Sequence, residues 1–174
     1  MAIYKYIIMN KDFFDSSEAN DLKIFKKLNE DTEMLKYTAA TPYKYCVDVS
    51  GHTDLTNVLI ELKNRKGKTT SFPDIYIESK KAAFLYFSYF VKGEIPIYIN
   101  YFNNYKNDEY PEIIAIWRLD KLSKFSYHPD TVTKSQGYEK IEHRERFGLY
   151  IKDAVIYKLI NGRYTKAKNI GEDE

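Results

Sequence analysis

Two carboxylates and a lysine, gathered by one short hairpin, are the residues best placed to do chemistry: Asp48, Glu61 and Lys63. Residues 45–65 read as two β-strands folded back on each other. Tyr45 to Val49 is rich in β-branched and aromatic side chains, Ser50-Gly51-His52-Thr53-Asp54 is turn chemistry, and Asn57 to Lys63 carries Val58, Leu59 and Ile60. With the turn centred near Thr53 to Leu55, antiparallel pairing puts Asp48 opposite Ile60 or Glu61. Lys63 falls on the same face as Glu61, because side chains alternate along a strand. Like charges facing each other across a strand pair cost about 0.2–1 kcal/mol at a surface and more when buried. A positive charge between them removes that cost, and a hard divalent cation with oxygen ligands is the natural candidate. Lys63 beside it could hold or deprotonate a water, or neutralise a phosphoryl oxygen. The plainer alternative leaves Asp48 exposed before the turn, with Glu61 and Lys63 as outward residues of a half-buried strand.

The elements around this hairpin must position it. Residues 2–9 suit a first strand. Asp15-Ser16-Ser17-Glu18 reads as a capped helix start, and Leu22, Ile24, Phe25 and Leu28 continue an amphipathic pattern to about Asn29. Residues 30–42 read as a polar connector. After Lys63 comes a basic stretch, Asn64 to Thr70, read as a loop. Its Arg65, Lys66 and Lys68 could clamp a nucleic-acid backbone, with Arg65 the best fork for a phosphate, or could simply be solvated. Asp74 to Ile77 is a short strand. Glu78 to Val91 is a helix so apolar that burial on more than one side is expected, with Gly93 placed to end it. Ile95 to Phe102 and Glu112 to Leu119 form a second hairpin around a polar turn. Residues 121–140 look irregular, with Pro129 holding His128 extended. His128 and His143 lack metal-ligand spacing and read as solvated. Phe147 to Ile160 closes the fold, and the tail from Ala167 reads as frayed. The sum is an α/β protein with a mixed central sheet flanked by helices.

The motif residues resemble those of the PD-(D/E)xK nuclease superfamily. Asp48, followed after a hairpin by Glu61-Leu62-Lys63, matches its core signature. Ile77-Glu78-Ser79-Lys80-Lys81-Ala82-Ala83-Phe84-Leu85 is similar to the opening of the helix that follows it in small phage and bacterial members, including Holliday-junction-resolvase-like ones. Val47 stands where the motif's proline would be. The resemblance covers residues 15 to 120 or so. It implies a restriction-endonuclease-like core and metal-dependent hydrolysis of nucleic-acid phosphodiester bonds, with DNA the expected substrate. It implies Mg²⁺ or Mn²⁺ held by Asp48, Glu61 and the Leu62 carbonyl, and a catalytic Lys63. It directs Lys81 or Glu78 toward the site. It aligns Glu18 with a helix glutamate that reaches the metal, although Glu18 also suits an ordinary helix-start charge. Members that cut both strands often pair as homodimers. A nuclease-fold protein that binds DNA or a protein partner without cutting, as a phage accessory factor or inhibitor would, is the alternative.

The whole chain sets bounds. Its 174 residues fit one domain, with a core at 15–120, an extension at 121–166 and a tail. A domain of that size buries roughly 70% of its unfolded surface and needs no staples. The single cysteine, Cys46, excludes an internal disulfide framework and a cysteine-rich zinc site, and suits a reduced cytoplasm. With 27 basic and 25 acidic side chains, the net charge of +2 neither demands nor excludes nucleic acid, since a local basic patch suffices. The 17 tyrosines and 10 phenylalanines suit large aromatic core faces and could also stack on bases. No stretch reaches the roughly 18 apolar residues that a membrane span needs, and Met1 to Met9 lacks signal-peptide form. A soluble intracellular protein is the expectation.

Overall fold

A computed structural model describes residues 16–41, 47–66, 74–103, 110–134 and 141–167. The expected strand at 2–9, Cys46, Lys68 and the tail beyond 167 lie outside the described residues. Helix α1 spans Ser16–Thr32 and is followed by β1 (Tyr37–Ala40), β2 (Val49–His52) and β3 (Asn57–Lys66). Strand β4 (Asp74–Glu78) leads directly into α2 (Ser79–Lys92), and then come β5 (Ile95–Asn103) and β6 (Ile113–Arg118). The chain closes with β7 (Ser126–Lys134), β8 (Ile141–Tyr150), β9 (Val155–Ile160) and β10 (Arg163–Lys166).

Seven strands form one sheet in the order β1-β2-β3-β5-β6-β9-β10. Its pairs are antiparallel except β3 with β5, which run parallel. A parallel pair requires a crossover, and β4 with α2 supplies it. Strands β4-β8-β7 make a second, antiparallel sheet. This is the mixed, helix-flanked α/β sheet expected of a restriction-endonuclease-like core.

Strand alternation divides the core in two. On one face, Val58, Ile60 and Leu62 of β3 and Ile97, Ile99 and Tyr101 of β5 pack against Ile24, Phe25 and Leu28 of α1. On the other, Leu59, Tyr98, Phe102 and Trp117 meet Ala82 and Leu85 of α2 and Ile75, Ile77 and Leu149 of the second sheet. Each fully buried Leu, Ile or Phe contributes about 1.5–3 kcal/mol. Helix α2 stops at Gly93, whose left-handed φ of 70° lets its N–H reach the Tyr89 carbonyl at 2.9 Å. The first helix and the last hairpin are clasped together. Asp31 of α1 accepts the Tyr164 N–H at 2.8 Å and Lys27 Nζ at 3.0 Å. Tyr164, itself buried, donates its hydroxyl to the Pro111 carbonyl at 2.9 Å.

Several expectations are corrected. The connector at 30–42 contains β1, which pairs with β2 from Tyr37↔His52 to Ala40↔Val49. Ser50 to His52, read as turn, is strand, and the turn falls at 53–56. Arg65 and Lys66 are not in a loop: β3 runs on through them because β5 continues alongside to Lys66↔Asn103. Glu78, read as the first helix residue, ends β4 and is the N-cap of α2, while Asp74 to Ile77 form the expected strand. Helix α2 is buried on one side only, with Phe87, Phe90 and Val91 exposed. The irregular stretch holds β7, with a register shift between His128 and Thr131 where Pro129 has no N–H for the ladder. His128 is half-buried, edge-on to the Tyr76 ring at 5.0 Å and 2.9 Å from Ser126 Oγ. The His143 side chain lies outside the described residues. Within residues 121–166, β9 and β10 complete the main sheet, and β8 pairs with β4.

Candidate active site

The β2–β3 register places the two carboxylates. Val49 pairs with Ile60, so the next position back, Asp48, lies across from Glu61. The Asp48 N–H donates to the Ile60 carbonyl at 3.0 Å, and its side-chain Oδ2 accepts the Leu62 N–H at 2.7 Å. One aspartate oxygen is thereby fixed to the strand that carries its partner. Glu61 is 2% exposed, an extreme position for a carboxylate. Lys81 of α2 donates to Glu61 Oε1. The other oxygen, Oε2, is buried with no donor. The neighbouring Asp48 carboxylate can bond to it only by sharing a proton.

Burial raises the Glu61 carboxyl to about 8, and the Asp48 charge adds to the rise. Lys81 pulls the other way, by its charge and its hydrogen bond, without overcoming the burial. Burial in turn disfavours the Lys81 ammonium, but Glu61, Asp48 and Glu78 outweigh it and hold Lys81 above the ordinary lysine value. That rise draws on an ionised Glu61. The governing direction is Glu61's, because its side chain is almost wholly removed from water while Lys81 remains about a third exposed.

The other predicted site residues scatter in depth. Lys63 lies on the Glu61 face of β3 with an exposed side chain, paired in register with buried Asn100 of β5. Leu62 turns its side chain into the α1 core. A strand residue's N–H and C=O point to the same edge, so the Leu62 carbonyl leaves β3 on the side where its N–H meets Asp48. Glu18 sits in the first turn of α1, but its side chain lies outside the described residues. One turn on, Asp21 receives the Tyr101 hydroxyl on its backbone carbonyl at 3.3 Å. Burial raises the Tyr101 phenol well above its ordinary value, and the charges of Asp21 and Asp48 both add to that rise. Asp21 is the α1 carboxylate that the sequence reading passed over. Its spacing after a helix start carries no signal that would have singled it out.

Arg65 differs from its expectation in what it holds. Its Nε donates to Asn100 Oδ1 at 2.9 Å, and Nη2 reaches the Tyr76 carbonyl at 2.5 Å and the Tyr98 hydroxyl at 3.4 Å. Tyr98 donates to the same carbonyl at 2.8 Å. The guanidinium is a brace between the two sheets, not a free phosphate fork. Lys66 ends β3, with its side chain outside the described residues. Sequence reasoning also missed Arg144 and Arg146 of β8. Arg144 donates to Glu78 Oε1, and Arg146 pairs in register with Glu78. Nothing in a polar, charge-alternating stretch marked it as a strand beside the site.

The donor set suits a hard divalent cation: two facing carboxylates, one with a buried oxygen lacking a partner, and a backbone carbonyl on the same edge. Among the described residues, no group of three or more Asp, Glu, His or Cys side chains is gathered closely enough to hold a metal. Asp48 and Glu61 would therefore hold the ion with water and the Leu62 carbonyl completing its shell, as Mg²⁺ commonly accepts.

No protein-family model matches the sequence, and no curated protein matches it. Among solved structures, Hjc, a Holliday junction resolvase from the archaeal hyperthermophile Archaeoglobus fulgidus, is similar at 13% identity and a TM-score of 0.41. The match covers 73% of this chain and 95% of that one. A likeness at that level transfers no chemistry from one chain to the other. Among the described residues, no helix is long and apolar enough to cross a membrane.

Proposed function

We propose that this protein is a metal-dependent phosphodiesterase acting on nucleic acid, with DNA as its substrate and Mg²⁺ or Mn²⁺ as its cofactor. The observation that carries the reading is the facing pair of half-buried Asp48 and buried Glu61, with Lys81 against Glu61 and exposed Lys63 on the same face of β3. A divalent cation bound there would supply Lewis-acid activation of water and neutralise charge developing at phosphorus. The chain's own groups do the rest. The Leu62 N–H fixes the orientation of the Asp48 carboxylate. Lys63 presents an ammonium from the exposed rim, where it can neutralise a phosphoryl oxygen or steady a water. Lys81 holds Glu61 in place and keeps a positive charge beside the pair. Glu18 and the basic stretch at Lys66 and Lys68 would complete the cation's shell and the backbone seat. Cutting both strands of a duplex would call for two copies, and sedimentation reads that directly.

One observation favours a second reading, a nuclease-fold protein that binds without cutting. Lys81 already donates to Glu61, so the pair is held without a cation. The test is cleavage of labelled substrates: linear and supercoiled duplex, a four-way junction, single-stranded DNA and RNA. Each is run with Mg²⁺, Mn²⁺ or chelator, with wild type beside Asp48→Asn and Lys63→Ala. Metal-dependent cutting lost in both variants supports the phosphodiesterase. No cutting of any substrate, with no Mn²⁺ binding by calorimetry, overturns it in favour of the non-catalytic binder.

A further inference from the structure

The second sheet brings a group of arginines to the flank of the carboxylate pair. Strand β8 pairs with β4 so that Arg146 lies across from Glu78 and Gly148 across from Tyr76. Alternation puts Tyr76, Glu78, Arg144 and Arg146 on one face, opposite the Ile75, Ile77 and Leu149 core side. The Arg146 guanidinium sits 6.0 Å from the centre of the Tyr76 ring, and Arg65 reaches the Tyr76 backbone from below. Arg144 is ion-paired to Glu78. Glu78 is also the N-cap residue of α2, the helix that carries Lys81, and its charge helps to hold the Lys81 ammonium.

Among the described side chains, three guanidiniums, those of Arg65, Arg144 and Arg146, gather near Glu78. Arg146 is half-buried, and its Nε is buried with no hydrogen-bond partner. Desolvation lowers its pKa first, and Arg65 and Arg144 lower it further, against the pull of Glu78 and Tyr98. Arg65 commits Nε and Nη2 to Asn100, Tyr76 and Tyr98. Arg144 has spent at least one on Glu78. Arg146 is thus the guanidinium most in need of an acceptor. A fixed cluster of like charges at a partly exposed surface is relieved by an anion, and the planar guanidinium fork matches phosphate.

We infer that Arg146 and Arg144, on the outer face of the β4–β8–β7 sheet, form a phosphodiester seat for the nucleic-acid backbone next to the Asp48–Glu61 pair. This rests on the nucleic-acid reading above and deepens it. The seat holds a phosphate neighbouring the one addressed by the carboxylates. Phosphate contacts give affinity and register without reading sequence. Glu78 is the competitor, since it occupies Arg144 when no phosphate is present.

The test is equilibrium binding of a fluorescein-labelled DNA duplex by anisotropy, in chelator so that nothing is cut, across a salt series. Arg146→Gln is expected to weaken binding about tenfold or more, and to reduce the slope of log K against log salt by about 0.9, one phosphate's share. Glu78→Gln, which frees Arg144, is expected to tighten binding, a gain that a merely structural role would not give. Melting temperature is followed for both variants. Should Arg146→Gln fail to fold, Arg146→Lys keeps the charge but loses the fork, and is expected to keep the salt slope while losing affinity. Unchanged affinity and slope in Arg146→Gln, or no binding of the duplex at all, overturns the seat. Cleavage by the wild type with Mn²⁺ is scored separately. Cutting with Arg146-independent binding removes the seat and leaves the phosphodiesterase. Arg146-dependent binding without cutting removes the phosphodiesterase and leaves the seat.

Discussion

Replacing Glu61 with glutamine should stabilise the metal-free protein while abolishing its proposed activity. A carboxyl whose pKa is about 4.5 unfolded and about 8 folded binds its proton more tightly in the native state. Stability then falls as pH rises through that window, because the folded protein must give up a proton that the unfolded chain has already lost. The contribution is fully present below pH 4.5 and gone above pH 8. Each pH unit within the window is worth about 1.4 kcal/mol. Glutamine mimics the protonated acid at every pH, and its carbonyl still accepts from Lys81. Glu61→Gln should therefore match the wild type near pH 4.5, exceed it by about 3 kcal/mol at pH 7 and by about 5 kcal/mol above pH 8. The assay is urea denaturation in chelator at a series of pH values, wild type beside variant. Parallel stability curves would refute the reasoning, since they would mean that Glu61 keeps an ordinary carboxyl pKa despite its burial. A variant less stable than wild type at pH 8 would refute it more strongly. The gain would come with loss of function, as expected where a site holds charges that the fold alone would reject.

Other outcomes follow from single contacts. Lys63→Ala should lower cleavage by about 10²–10⁴-fold, measured under single-turnover conditions, with an unchanged melting curve, because the side chain is exposed. Arg65→Ala should cost about 1–3 kcal/mol in denaturant titration, since it strands the buried Asn100 Oδ1. An Arg65 variant that loses only DNA affinity would overturn the brace. Gly51→Ala should destabilise by about 1–3 kcal/mol in the same measurement, because a Cβ there would lie 2.7 Å from the Tyr37 carbonyl oxygen and 2.8 Å from Leu35 Cδ1.

The parts of the molecule governed by local rules were legible in the sequence. Antiparallel register is whole-number arithmetic, so a turn near Thr53 to Leu55 placed Asp48 within one position of Glu61, and pairing from Val49↔Ile60 fixes which. Helix α1, helix α2 and the β5–β6 hairpin carry their periodicity or alternation openly. The misses are mostly strands whose own sequence shows no alternation and whose stability comes from the strands beside them. Tyr37 to Ala40 is too short to show a period, and pairs because β2 offers an edge. Residues 142–146 are a run of mixed charge, and become strand because β4 and β7 flank β8. Arg65 looked like a loop cation because its partners, Asn100 and Tyr98, come from a parallel neighbour more than thirty residues on. The Lys81–Glu61 contact needs α2 docked on the sheet, which hairpin arithmetic alone cannot deliver.

The clasp at Asp31 has a consequence for how the protein opens. It joins positions 133 residues apart, Asp31 of the first helix and Tyr164 of the last hairpin. Closing so long a loop costs only slightly more entropy than closing a short one, because the cost grows with the logarithm of length. Once closed, the clasp makes α1 and the β9–β10 hairpin fray as one unit. Amides of Ile24 to Leu28 and of Tyr164 should then exchange with solvent at a common rate and with a common denaturant dependence, as a single cooperative unit spanning both halves of the chain.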